Sequence, residues 1–198
     1  KTKKRISETQ SKSKLKQTPI KVSIIEASIT IQDAIFGIKK TIEIVEPEGN
    51  RKASVKIPPG SRAGKLIRMR TSTGKTEELV ILLRVAPHPM LDLEPKGLIV
   101  NIPISVEEAT LGASIKVPGI NEELLLTIPE NSQSGDEIRI KNKGISLKDG
   151  TREDIFYRLQ IKLPEFNHAV GLTDKIKELQ AYYQDLPRKN LPQSITQF

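Results

Sequence analysis

The chain has 198 residues, no cysteine, no tryptophan and a formal net charge of +8. Without cysteine it has no disulfide framework, no zinc–thiolate site and no thiol nucleophile. No apolar run reaches the length of a transmembrane helix, and no signal peptide is recognisable. Aromatic residues make up only 4% of the chain, so isoleucine, leucine and valine must form its core.

The positive charge is concentrated at the N-terminus. Residues 1–21 carry +7 of the +8 net charge, which leaves the rest of the chain nearly neutral. Residues 1–20 are rich in lysine, serine, threonine and glutamine, a composition too polar to form a core. We therefore predict a basic disordered linker over residues 1–20.

A strand, a very short helix and a second strand are predicted within Ile24–Ile44. The apolar run up to Ile31 favours a strand, and the alternating segment that ends at Ile44 favours a half-buried one. Between them, Thr30 and Asp33 have the spacing of a capping box, and Gly37 is placed to end the helix with a left-handed conformation.

The same pattern recurs in the second half of the chain. In Pro103–Val117, Ser105 and Glu108 repeat the capping pair, and a glycine again ends the short helix. Ile57–Arg70 and Ile128–Lys141 are identical at six matched positions, which include the turn residues Pro58, Ser61 and Gly64. Shared turn residues indicate a duplication, so we predict two related domains of about 70–75 residues.

The predicted fold class is all-β, with two tandem small β-sandwich domains, each with one very short helix, plus a C-terminal α-helix. Many short strands with proline and glycine turns between them are typical of a sandwich. The predicted domains span residues 21–96 and 97–170, followed by a C-terminal dimerisation helix and tail at 171–198.

The C-terminal helix is predicted from Thr173 to about Gln184. Its apolar residues recur at helical spacing and form one stripe: Leu172, Ile176, Leu179 and Tyr183. A lone amphipathic helix needs a partner for that stripe. It packs either on its own domain or on a twofold-related copy, and we expect the second.

Catalysis is not expected. The two histidines, His88 and His168, are flanked by loop-forming residues, and adjacent carboxylates on strands point to opposite faces. No phosphate-binding loop or metal-ligand spacing is present in the sequence. We therefore expect neither an enzyme nor a cofactor or metal.

Over roughly residues 22–184 the chain resembles the C-terminal peptide-binding region of the DnaJ/Hsp40 co-chaperones. The resemblance rests on both short-helix units, on the junction Pro87-His88-Pro89 and on the paired runs Ile57–Arg68 and Ile128–Arg139. It implies two tandem β-sandwich domains and a short C-terminal helix that makes a homodimer.

The departures from the family pattern concern other segments. The only His-Pro pair, His88-Pro89, is followed by Met90 and not by the aspartate of a J-domain loop, so this chain resembles no J-domain. The cysteine-rich zinc insert is missing, which indicates the zinc-free type. Leu91, Leu93 and Pro95 replace the usual residues after the junction, which changes edge loops and not the expected fold.

The resemblance places a client-binding groove on the first domain, between two strands. Its apolar lining corresponds to Ile25, Ala27, Ile42 and Ile44, with Lys40 at the rim. An extended peptide would add to a free strand edge and place apolar side chains in the groove. The alternative is that Ile42 and Ile44 are ordinary core residues.

The resemblance also implies partners. Lys39 and Lys40 are expected to receive the acidic C-terminal tail of an Hsp70, the alternative being a solvated strand end. The predicted function is a cytoplasmic co-chaperone module that holds unfolded polypeptides, delivers them to Hsp70 and forms a homodimer away from membranes. One rival is a nucleic-acid-binding β-protein that uses the Lys-rich arm; another is a purely structural dimer scaffold.

Overall fold

The computed structural model describes residues 21–44, 51–70, 77–147, 149–164 and 171–183. The predicted basic linker, His168, Gln184 and the C-terminal tail lie outside these residues. Residues up to Ile161 belong to one unit, and those from Lys162 onward belong to a second. No helix in the described ranges is long and apolar enough to cross a membrane.

Strands dominate the first unit, as the all-β prediction requires. The short helices are α1 (Ile31–Phe36) and α2 (Val106–Leu111). The strands, in chain order, are β1 (Lys21–Ile29), β2 (Ile38–Ile44), β3 (Arg51–Ile57), β4 (Leu66–Arg70), β5 (Glu77–Val85), β6 (Leu91–Glu94), β7 (Gly97–Ile104), β8 (Ala113–Pro118), β9 (Glu123–Ile128), β10 (Glu137–Ile140) and β11 (Ile155–Ile161).

Each repeat is a small sheet that faces a two-stranded hairpin. In the first repeat the sheet order is β1-β5-β4, with β1 parallel to β5, and β2 pairs with β3 in the hairpin. In the second repeat β7, β11 and β10 take the same order, and β8 pairs with β9. The duplication predicted from sequence is therefore present in the strand topology.

One strand has no counterpart in the described part of the first repeat. β6 pairs antiparallel with the outer edge of β7 and extends the second sheet to four strands. Sequence analysis did not predict this strand, because its four residues include two acidic ones. β6 falls within residues 21–96, the predicted range of the first domain, yet it lies in the sheet of the second repeat. The domain boundaries themselves stay predictions.

Both short helices begin with the predicted capping box. Thr30 and Asp33 exchange hydrogen bonds of 3.1 Å each, and Ser105 and Glu108 exchange bonds of 2.7 and 3.1 Å at the start of α2. Gly37 has the expected positive φ of 76°, but its ψ of 151° lies outside the left-handed helical region that the sequence suggested. A Cβ on Gly37 would lie 2.8 Å from the Pro59 backbone nitrogen, so this close approach requires glycine.

The shared turn after each hairpin is fixed to the helix of the same repeat. The Ser61 N–H donates to the Ala34 carbonyl at 3.2 Å, and the Ser132 N–H donates to the Ala109 carbonyl at 2.9 Å. Both serines are buried, and their hydroxyls donate to the carbonyls of Pro58 and Pro129 respectively, a bond that a larger or apolar side chain could not make. This contact sets where the hairpin lies against the sheet.

Helix α1 belongs to the cores of both repeats. Its Ala34 packs with the first-repeat residues, whereas Ile31 and Ile35 pack in the cluster formed by the second repeat. All three are at most 5% exposed. In α2 the equivalent of Ile31 is Val106, which is 37% exposed. The first helix therefore joins the two cores and the second one does not.

A polar contact also joins the two repeats. The Arg62 guanidinium donates two bonds to the Glu153 carboxylate, at 3.0 and 3.1 Å, and its Nε donates to the Glu94 carbonyl at 2.8 Å. The Glu94 carboxylate accepts from Arg158 at 2.6 Å, and this bond lowers the pKa of Glu94. Charge-assisted bonds to a planar guanidinium fix orientation as well as distance.

The second unit contains one described helix, α3 (Leu172–Leu179), followed by a 3₁₀ turn at Gln180–Tyr182. The helix is shorter than predicted. Its N-cap is Gly171 and not Thr173, which lies inside the helix. Tyr183 follows the 3₁₀ turn in an extended conformation, so it does not continue the helical stripe of Leu172, Ile176 and Leu179.

Replacing Ile31 with alanine tests the shared role of α1. We expect Ile31→Ala to lower the free energy of unfolding by about 2–4 kcal/mol, because it removes buried methyl groups from the second core. Val106→Ala, at the same helical position of the second repeat, is the matched control and should cost less than about 1 kcal/mol. Urea unfolding followed by circular dichroism measures both. Equal losses in the two variants would contradict the shared core.

Candidate functional site

The two strands that border the predicted groove belong to different sheets. Among the described residues, β1 pairs only with β5, and β2 pairs only with β3. Each strand therefore has one edge without a strand partner in this part of the chain. Unpaired backbone N–H and C=O groups on such edges are the groups that bind an added strand.

Alternation along β2 sorts its side chains between the two faces. Lys40, Ile42 and Ile44 are partly or fully buried, whereas Lys39 and Glu43 are exposed. This period of two is what the sequence predicted for the strand. Lys40 is thus on the same face as the two isoleucines, with its alkyl stem beside them.

The predicted apolar lining is buried in this structure. Ala27, Ile42 and Ile44 are 5%, 9% and 4% exposed and belong to the first core cluster. Ile25 is half-buried and packs against the same cluster. The structure therefore brings all four apolar residues together, with Ile25 the most accessible of them. Ile42 and Ile44 are core residues here, so substitutions at them affect folding as well as binding.

Lys40 links the two strands. Its ammonium group donates a hydrogen bond to the Ser28 carbonyl of β1. Lys39 is on the opposite face of β2, and its cross-strand partner is Lys56. The structure therefore does not bring the two lysines together, although they are adjacent in sequence. Only Lys40 lies at the predicted groove.

A basic outward surface was not predicted from the sequence. Lys39, Lys52 and Lys56 are exposed on the outer face of the β2–β3 hairpin, with Glu43 opposite Lys52. In the hairpin of the second repeat, Lys116 is instead paired with Glu123 at 3.0 Å. The sequence alternation could have predicted this basic surface. Residues with odd numbers in β2 and residues with even numbers in β3 lie on the same face of the hairpin, and Lys39, Lys52 and Lys56 are among them.

The second repeat shows what covers the equivalent strand edge there. Its β7 corresponds to β1, and β6 pairs along its outer edge with Leu91 opposite Val100 and Leu93 opposite Leu98. Both leucines pack partly buried against the second core. In the second repeat, an extended segment with alternating leucines therefore fits the strand edge that is equivalent to the unpaired edge of β1.

Potential metal-ligating side chains are scattered in the described ranges. Among those residues, no group of three or more histidine, cysteine, aspartate or glutamate side chains is close enough to hold a metal ion. The site is instead an apolar floor between two strand edges with one ammonium group beside it. Such a surface suits an extended polypeptide with apolar side chains.

Comparison with known proteins identifies the family. The profile described as "DnaJ C terminal domain" matches residues 24–164, which is most of the chain. The chain belongs to the DnaJ C-terminal domain family. This confirms the resemblance on which the groove assignment was based.

Similar curated proteins are named "Curved DNA-binding protein". One from Pseudomonas putida (strain W619) is 30% identical over 161 residues, which covers 73% of this chain and 51% of that protein. One from Escherichia coli O7:K1 (strain IAI39 / ExPEC) is 30% identical over 184 residues, covering 84% of this chain and 59% of that protein. The chain thus spans between half and three fifths of these relatives.

Proposed function

We propose that this chain is a polypeptide-binding module of a DnaJ-type co-chaperone, without catalytic activity of its own. The observation that carries the proposal is the pair of strand edges around one apolar floor, with the Lys40 ammonium bridging them. Family membership supports it, because the matched region, residues 24–164, contains β2 and all but the first three residues of β1. The ligand is an extended, unfolded polypeptide segment.

Binding would combine backbone and side-chain contacts. Backbone groups of the segment add to the edge of β2 or β1, which is independent of sequence. Apolar side chains of the segment contact Ile25 and the apolar floor beneath it. Each side chain that is fully buried there contributes about 1.5–3 kcal/mol to the free energy of binding, before the cost of ordering the segment is subtracted. Two or three such anchors give roughly micromolar affinity, which is weak enough for release.

Delivery to Hsp70 and self-association complete the proposal. Lys40 would meet an acidic tail of an Hsp70 at the groove, whereas Lys39 would meet such a tail only from the outer face. In the second unit, Ile176 and Leu179 of α3 are 47% and 50% exposed. A second copy that covers this stripe would give a homodimer with two grooves and raise avidity through effective concentration.

Ile25 offers the sharpest test of the groove. Ile25→Asp is expected to weaken binding of a labelled, unfolded peptide with alternating leucines at least about tenfold, because it removes an apolar anchor and introduces a carboxylate. Ile24→Asp is the matched control: Ile24 is the neighbouring residue on the opposite face and is 69% exposed. We expect the control to bind within about twofold of the unchanged chain. Fluorescence anisotropy measures both.

Circular dichroism of each variant shows whether it is folded, which separates a binding defect from a folding defect. Equal affinity for the peptide in Ile25→Asp and Ile24→Asp would contradict the groove. Ile42→Asp is less informative, because a charge at a position 9% exposed would unfold the core.

A second candidate function is DNA binding, which the names of the relatives favour. The Lys-rich residues 1–21 and the exposed Lys39, Lys52 and Lys56 are two sources of positive charge for phosphate contacts. If DNA binds, its affinity falls steeply with salt concentration, whereas the binding of an apolar peptide changes little.

The salt dependence of duplex DNA binding separates these sources. We expect removal of residues 1–16 to reduce the slope of log affinity against log salt by about 0.9 for each phosphate that the shortened chain no longer neutralises. The triple variant Lys39→Gln, Lys52→Gln, Lys56→Gln tests the hairpin surface in the same titration. Failure of the unchanged chain to bind duplex DNA at low salt would contradict this second function.

A further inference from the structure

A cavity of about 300 Å³ lies between α1 and the second repeat. Ile35 and Phe36 of α1 form one wall, and the other is formed by second-repeat residues that include Leu98, Val100 and Ile120. All of these side chains are apolar. Because the two walls come from different repeats, the cavity exists only when the repeats are packed together.

The rim of the cavity is apolar and accessible. Phe36 is 59% exposed and Met90 is 43% exposed, and both line the opening. Methionine side chains are flexible and polarisable, so they adapt to ligands of different shape and make favourable contacts with aromatic rings. The exposed fractions also mean that truncating either residue leaves the core intact.

Duplication explains why the space is unfilled. In the second repeat, Gly119 occupies the position that the buried Ile44 occupies in the first, and Gly119 lines the cavity. The Gly119 N–H donates to the Glu122 carbonyl at 2.9 Å and closes a tight hairpin. A Cβ on Gly119 would lie 2.5 Å from that carbonyl oxygen, so the turn permits no side chain there.

The lining has two polar side chains, the exposed Gln32 and the partly buried His88. The His88 Nδ1 accepts a hydrogen bond from the Met90 N–H at 3.2 Å, so in the neutral imidazole Nε2 carries the hydrogen. The Pro118 carbonyl, also in the lining, already accepts the Tyr157 hydroxyl at 2.9 Å. A ligand for this cavity therefore combines an apolar body with a hydrogen-bond acceptor for His88.

We propose that the cavity binds one aromatic side chain of a bound polypeptide, whose backbone carbonyl accepts from His88. A volume of about 300 Å³ is at the small end of ligand pockets, enough for one ring system and too small for a stretch of chain. This inference rests on the proposed polypeptide-binding function and adds a second anchor, specific for aromatic residues, at the junction of the repeats.

The absence of tryptophan from the chain makes the test direct. A blocked glycine–serine peptide with one central tryptophan is titrated with the unchanged chain, and its fluorescence is the only tryptophan signal in the sample. We expect a saturable shift of the emission to shorter wavelength as the indole leaves water. 3-Methylindole, which has the same ring system without a backbone carbonyl to accept from His88, should bind at least about tenfold more weakly.

Two variants and a matched control locate the binding. Phe36→Ala should weaken binding of the tryptophan peptide about tenfold, and Ile120→Phe, which fills the cavity, should abolish it. Leu111→Ala is the control, because Leu111 has the equivalent position in α2 and is 65% exposed but does not line the cavity. It should bind within about twofold of the unchanged chain.

The outcomes separate this inference from the function on which it rests. Binding of the leucine peptide without any emission shift for the tryptophan peptide would overturn the cavity and leave the groove in place. An emission shift that Phe36→Ala and Leu111→Ala reduce equally would also overturn it. Equal affinity for the peptide and 3-methylindole would overturn the polypeptide as occupant. An emission shift that Phe36→Ala weakens, Ile120→Phe abolishes and Leu111→Ala leaves unchanged supports the inference even if the leucine peptide fails to bind.

Discussion

Helix α1 is the element on which the rest of the structure depends. It contributes Ala34 to the first core and Ile31 and Ile35 to the second, so six residues connect two hydrophobic clusters. The capping box fixes its start, and the close approach of Gly37 to Pro59 fixes the direction in which β2 leaves it. The position of β2 against β1, and with it the groove, follows from this one short helix.

The two repeats share a fold but present different surfaces. On the outer face of the second sheet, Glu137 and Arg158 form an ion pair across neighbouring strands; at the same positions of the first sheet stand Leu66 and Leu82. The first sheet therefore exposes apolar side chains where the second is covered by charges. The edge of β7 is likewise covered by β6. The two repeats therefore share a scaffold, but charged side chains and the strand β6 cover surfaces of the second repeat that are uncovered in the described part of the first.

Sequence reasoning predicted the strands, capping boxes and duplication, because these depend on local periodicity and turn chemistry. It did not predict that β1 pairs in parallel with β5, since pairing between distant strands leaves no local signal. It also assigned Lys39 and Lys40 to one binding site for an acidic tail, although adjacent residues of a strand lie on opposite faces. The cavity was missed because its walls come from α1 and from residues more than fifty positions later, such as Leu98. The burial of Ile42 is a property of packing that the strand pattern alone left open.

The proposed function requires an extended polypeptide to add to a strand edge of the first repeat. Amide hydrogen exchange, followed by NMR with and without a saturating leucine peptide, tests it most directly, because it reports backbone pairing strand by strand. We expect slower exchange on peptide binding at amides of β1 or β2, and unchanged exchange in β7, whose edge β6 already covers. Unchanged exchange in both β1 and β2, with the peptide bound, would contradict it.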